Sequence, residues 1–106
     1  MNTNTITPAE AHKIIQSGEV KVIDVRTPAE FAEGHIEGAR NIDIHNDAFQ
    51  GIVRELPNDE TYIVTCKSGG RSAQACSSMQ EEGIMGAINL EGGMTAWEQA
   101  GLPIVK

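Results

Sequence analysis

Apolar residues recur along the chain in two rhythms. Short β-branched runs at 20–25 and 61–65 predict buried strands, while stretches with apolar residues three and four apart predict helices. Ala11, Ile14 and Ile15 mark a first helix that stops at Gly18, and Phe31 faces inward from a short second one ending at Gly34. Phe49, Ile52, Val53 and Leu56 place another helix within 47–56. Ala75, Cys76 and Met79 place one over 72–82, closed by Gly83, and a last one is expected over 95–100. Two tetrapeptides are identical, Thr7-Pro8-Ala9-Glu10 and Thr27-Pro28-Ala29-Glu30, and each reads as a helix start. Thr caps the first amides, Pro has a suitable φ for the first helical position, and Glu completes a capping box. A second echo, Gly38-Ala39-Arg40-Asn41-Ile42 against Gly86-Ala87-Ile88-Asn89-Leu90, reads as a turn entering a brief buried strand.

Strands alternating with helices through short connections predict an α/β fold, a mainly parallel sheet with helices on both faces. Thr5-Ile6 and Ile104-Val105 are candidates for an added edge strand. The chain of 106 residues is expected to form a single domain over 1–106. Aromatics make up only 4% of it, so its core rests on aliphatic residues, Met and Ala.

A formal net charge of −7 argues against nucleic acid or an anionic membrane as partner. No apolar run is long enough to span a bilayer, and the first residues are neither basic nor apolar, so a cytoplasmic location is expected. The two cysteines, Cys66 and Cys76, match neither a metal-ligand spacing nor a redox pair, and both are expected as free thiols.

The chemistry concentrates in Tyr62-Ile63-Val64-Thr65-Cys66-Lys67-Ser68-Gly69-Gly70-Arg71-Ser72-Ala73. An apolar strand ends at a cysteine, a glycine-bearing loop follows, and a helix begins. Ligands of open α/β sheets gather at the carboxyl ends of strands. Successive N–H groups of such a loop can converge on an anion, and Gly69 and Gly70 permit the backbone that this requires. The helix N-terminus adds partial positive charge; Lys67 and Arg71 add whole charges, and Arg71 can grip two oxygens at once. Each of these features favours thiolate over thiol at Cys66. None of His12, His35 and His45 lies near the loop in sequence, so the cysteine is expected to ionise without a histidine base. Against this stands a plainer account, a structural cysteine before an ordinary glycine turn; the strand-end position and two flanking cations weigh against it. Cys76 falls on the apolar stripe of the next helix and reads as core filler, with a sulfur-relay thiol as the alternative.

The spacing Cys66-x4-Arg71 on a strand–loop–helix unit resembles the active loop of the rhodanese family of sulfurtransferases. Val22-Ile23-Asp24-Val25-Arg26, Pro28-Ala29-Glu30-Phe31, Gly34-His35-Ile36-Glu37-Gly38-Ala39 and Asn41-Ile42 resemble the family's N-terminal signature, in order. Asn89-Leu90-Glu91-Gly92-Gly93-Met94-Thr95-Ala96-Trp97 and Gly101-Leu102-Pro103 resemble its C-terminal one. The resemblance implies a five-stranded parallel sheet and a thiosulfate sulfurtransferase that works through a Cys66 persulfide. The acceptor would be cyanide in an assay and a thiol in the cell, and no metal or organic cofactor would be required. It implies Cys66 and Arg71 as catalytic residues, with Lys67, Ser68, Gly69, Gly70, Arg71 and Ser72 as the substrate-binding loop. Asp24 and Arg26 would order the site from the neighbouring strand, and Glu30 and His35 would be structural. Lys67 directly after the cysteine departs from mercaptopyruvate-selective relatives, which carry glycine there, and points to a doubly anionic donor. Two other functions compete: a sulfur-carrier module that exchanges persulfide with a protein partner, and a phosphatase or arsenate reductase of the related class. The latter resembles this fold but has a loop one residue longer.

Overall fold

The computed structural model describes residues 4–106. Ten elements alternate along the chain: β1 (Asn4–Ile6), α1 (Pro8–Ser17), β2 (Lys21–Asp24), α2 (Pro28–Ala32), β3 (Arg40–Asn41), α3 (Phe49–Glu55), β4 (Tyr62–Thr65), α4 (Gly70–Glu81), β5 (Ala87–Leu90) and α5 (Gly93–Gln99). The strands form one five-stranded sheet in the order β1-β5-β4-β2-β3, and every pairing is parallel. β4 sits at its centre with all four residues buried.

Period-two alternation sends successive side chains of each strand to opposite faces. Val64 and Tyr62 of β4 join Ile23, Phe49, Val53, Ala75, Cys76 and Met79 in a core under α3 and α4. Ile63 turns the other way, into a second core with Val22, Ala11, Leu90, Met94 and Trp97 under α1 and α5. Both faces of the sheet are therefore covered, as the strand–helix alternation predicts.

Helices α1 and α2 begin as the repeated tetrapeptide requires. Thr7 and Thr27 each accept from the N–H of the glutamate three residues on, and each glutamate reaches back to the cap. Gly18 ends α1 at φ 79°. The last helix starts two residues before the expected position, at Gly93. The chain's end corrects another expectation. Thr5-Ile6 lies in the edge strand β1, but Ile104-Val105 adds no strand to the sheet: Val105 makes an isolated antiparallel bridge to His35. This closure over the α1–α5 face is reinforced by Trp97, whose indole N–H donates to the Pro103 carbonyl at 2.9 Å.

Candidate active site

All five parallel strands end at one edge of the sheet, and β4 delivers Cys66 to it. The loop from Cys66 to Gly69 turns back under α4. Gly69 stands at the helix N-cap with φ 108°, a backbone conformation that only glycine adopts readily. The loop rests on α5: Met94 N–H donates to the Cys66 carbonyl at 2.8 Å and Thr95 N–H to the Lys67 carbonyl at 2.9 Å.

Cys66 is only 1% exposed, and its sulfur is surrounded by donors. The Gly69 N–H reaches Sγ at 3.0 Å and the Ser72 hydroxyl lies at 3.3 Å, with the Ser68 and Ser72 backbone N–H groups also directed at it. Burial pushes the thiol up, but these hydrogen bonds outweigh it and hold Cys66 below the ordinary cysteine range. Among the described residues no histidine takes part: His35 stacks on Phe31 with ring centres 3.7 Å apart, and His12 meets Trp97 edge-on. The local arrangement can therefore stabilise a sulfur anion by amide and hydroxyl donors alone.

Arg71 and Ser72 lie where the loop spacing predicts, but they face different things. The guanidinium of Arg71 binds Glu30 of α2 through two nitrogens, Nη1 to Oε1 at 2.8 Å and Nη2 to Oε2 at 3.0 Å. Hydrogen bonds from Arg71 lower the Glu30 carboxyl to about 2. Its fork is thus already occupied by a carboxylate, and the positive charge reaches Cys66 as a field. Ser72 is wholly buried, and its hydroxyl faces Sγ. Lys67 and Ser68 are exposed on the loop, and Lys67 forms no ion pair among the described residues.

Asp24 and Arg26 form a buried pair at the end of β2. Arg26 Nη2 donates to Asp24 Oδ2 at 2.7 Å and to the Gly34 carbonyl at 2.8 Å, tying β2 to the end of α2. Burial opposes the charge on Arg26, and the adjacent carboxylate prevails, raising its pKa. Cys76 sits in the α3–α4 core, and burial, with Cys66 nearby, pushes its thiol up to about 12. Beside the loop, Lys67, Arg26, Glu30, Met94, Thr95 and Glu98 border a cleft of about 500 Å³. Asn89 of β5, unassigned by loop spacing, touches both Ser72 and Gly69. Only its place in the C-terminal signature marked it.

The rhodanese-like domain pattern matches residues 7–100. The chain belongs to the rhodanese-like family. Its relatives include sulfurtransferases, and an enzyme of the rhodanese type is the activity class that they support. This rhodanese-like chain is 37% identical over 95 residues to a sulfurtransferase of Allochromatium vinosum, covering 90% of this chain and 87% of that one. It is 34% identical over 92 residues to the thiosulfate sulfurtransferase GlpE of Stutzerimonas stutzeri, covering 87% and 82%. The crystal structure of a rhodanese-like domain protein from Staphylococcus aureus superposes with a TM-score of 0.81 at 35% identity, covering 98% of this chain and all of that one. Among the described residues of this rhodanese-like chain, no helix is long and apolar enough to cross a membrane.

Proposed function

We propose that this domain transfers a sulfane sulfur from an anionic donor, thiosulfate or a close analogue, to a thiol or cyanide acceptor through a persulfide on Cys66. The observation that carries this reading is the ring of donors around one sulfur. Three backbone N–H groups and the Ser72 hydroxyl converge on Cys66 Sγ, with no base in contact among the described residues. Such a site keeps a thiolate ready, because its donors together outweigh the burial that favours the neutral thiol.

In the first displacement the Cys66 thiolate attacks the outer sulfur of thiosulfate. A sulfur–sulfur bond forms, the donor's own sulfur–sulfur bond breaks, and sulfite leaves with the electron pair. In the second, the acceptor attacks the outer sulfur of the persulfide and the thiolate is regenerated. Lys67, free at the cleft, attracts the dianion, and Arg71 contributes its charge from behind Glu30. Two free cysteines suit a reducing compartment, and we assign the protein to the cytoplasm on that ground.

Steady-state turnover with thiosulfate and cyanide tests the proposal. Double-reciprocal plots at several cyanide concentrations should give parallel lines, and Cys66→Ser should abolish turnover. Intersecting lines, or activity surviving in Cys66→Ser, would overturn the covalent route.

A further inference from the structure

Asn89 is 7% exposed on β5, beside Val64 of the central strand. A polar side chain in that position needs partners, and its two are Gly69 of the loop and Ser72 in the first turn of α4. Its Nδ2 donates to the Gly69 carbonyl at 3.2 Å. A carbonyl can only accept, so this bond fixes the amide with Oδ1 facing Ser72. Ser72 Oγ then has three acceptors in reach: Asn89 Oδ1 at 2.5 Å, the Gly69 carbonyl at 3.2 Å and Cys66 Sγ at 3.3 Å. A serine hydroxyl carries one proton, so only one of them receives it at a time.

We infer that Asn89 is a positioning residue that competes with the Cys66 sulfur for the Ser72 proton. This deepens the proposed function and rests on Cys66 being the nucleophile. When Sγ is a thiolate, the charged acceptor wins and the hydroxyl turns towards it. When Sγ is a thiol, or the inner sulfur of a persulfide, the charge is gone or has moved outward, and the proton turns to Asn89 Oδ1. Discharge reverses this: the acceptor's electron pair bonds to the outer sulfur, and the pair of the broken sulfur–sulfur bond returns to Sγ. The Ser72 proton then follows the charge back. Asn89 keeps this buried hydroxyl bonded in both states by a rotation of one hydrogen, with no movement of heavy atoms.

Other charges act on Cys66 from fixed positions. Arg71 of α4 faces it, Lys67 follows it on the loop, and Cys76 of α4 remains a neutral thiol. Asp24 of β2 and Glu30 of α2 act on Arg71.

The test is the pH midpoint of the thiolate, read from its ultraviolet absorbance and from the rate of iodoacetamide alkylation. Asn89→Ala should lower the midpoint by about half a pH unit, because the thiol state loses the best partner of its hydroxyl. Asn89→Asp, nearly the same shape, should raise it above the parent. Both variants lose the Gly69 bond, and the carboxylate of Asn89→Asp also raises the midpoint by its charge alone, so the comparison with and without the Ser72 hydroxyl separates competition from a loosened loop. In a Ser72→Ala background, Asn89→Ala should move the midpoint no further. Shifts of the same sign in the two variants, or an equal shift of Asn89→Ala with and without the hydroxyl, would make Asn89 a structural tie and overturn the inference. Circular dichroism verifies folding, and Asn89→Asp against its own Ser72→Ala double variant repeats the comparison if Asn89→Ala unfolds. If Cys66→Ser left absorbance and alkylation unchanged, the nucleophile assignment itself would fall, and the inference with it.

Discussion

A single methyl group added at Gly93 strikes the floor of the site. Gly93 opens α5 at φ 59°, and a Cβ built there would stand 2.5 Å from the Cys66 carbonyl oxygen and 2.7 Å from both the carbonyl carbon and oxygen of Lys67. These atoms are backbone, held by the Met94 and Thr95 N–H groups at 2.8 and 2.9 Å, so they cannot yield without moving the loop or the helix. The left-handed conformation alone costs an alanine ~1–2 kcal/mol. Forcing a methyl into packed atoms adds ~1–3 kcal/mol. Gly18→Ala is the matched control, since Gly18 has φ 79° but nothing within 4 Å of the added carbon. It should carry the conformational cost and no more. The difference of ~1–3 kcal/mol places the Gly93→Ala melting midpoint roughly 5–20 °C below that of Gly18→Ala. Thermal unfolding followed by circular dichroism reads the stability, and the rate of sulfur loading from thiosulfate reads the site. Gly93→Ala should fail in both, while Gly18→Ala should load at the parent rate. Equal midpoints in the two variants would refute the view that α5 is braced against the loop.

Three further outcomes are expected. Glu30 is held at about 2, below the ordinary carboxylate range, so its pairing with Arg71 contributes stability above that range and loses it as pH falls towards 2. Glu30→Gln should therefore be about 1 kcal/mol less stable than the parent at neutral pH, allowing for the pair's partial exposure, and the gap should close as pH falls through 4 to about 2; a constant gap in urea titrations would contradict this. Asp24→Ala leaves Arg26 as a buried cation without its partner and should cost ~3–5 kcal/mol in urea unfolding, with a loss under 1 kcal/mol counting against the pair. Cys76, pushed up to about 12 by burial, should resist iodoacetamide at pH 8 in the native protein and react only on unfolding, while Cys76→Ala loads sulfur at the parent rate; a second native label, or lost loading in a folded variant, would restore the relay role.

What the sequence reveals here is what is local or periodic. The caps of α1 and α2 depend on residues three apart, and both were legible from a tetrapeptide. The alternation of Tyr62, Ile63 and Val64 between two cores follows from the pleat of a strand buried on both faces. Cys66 at a strand end before Gly69-Gly70 was legible for the same reason, since the loop's geometry is made within a few residues. Contacts between distant segments were not legible. Glu30 meets Arg71 across 41 positions, and nothing in either neighbourhood says that the arginine's fork is filled by a carboxylate. Asn89 and Ser72 are 17 positions apart and meet only because β5 lies beside β4. Ile104-Val105 has the composition of a strand, but β1 already holds that edge of the sheet, so it pairs with His35 instead.

The central claim is that Cys66 carries the transferred sulfur, and intact mass tests it most directly. The parent and Cys66→Ser are exposed briefly to thiosulfate, freed of excess reagent and weighed. A gain of one sulfur atom in the parent alone, removed by cyanide or a thiol, is the predicted result. No gain in a folded parent, or the same gain in Cys66→Ser, would contradict the account.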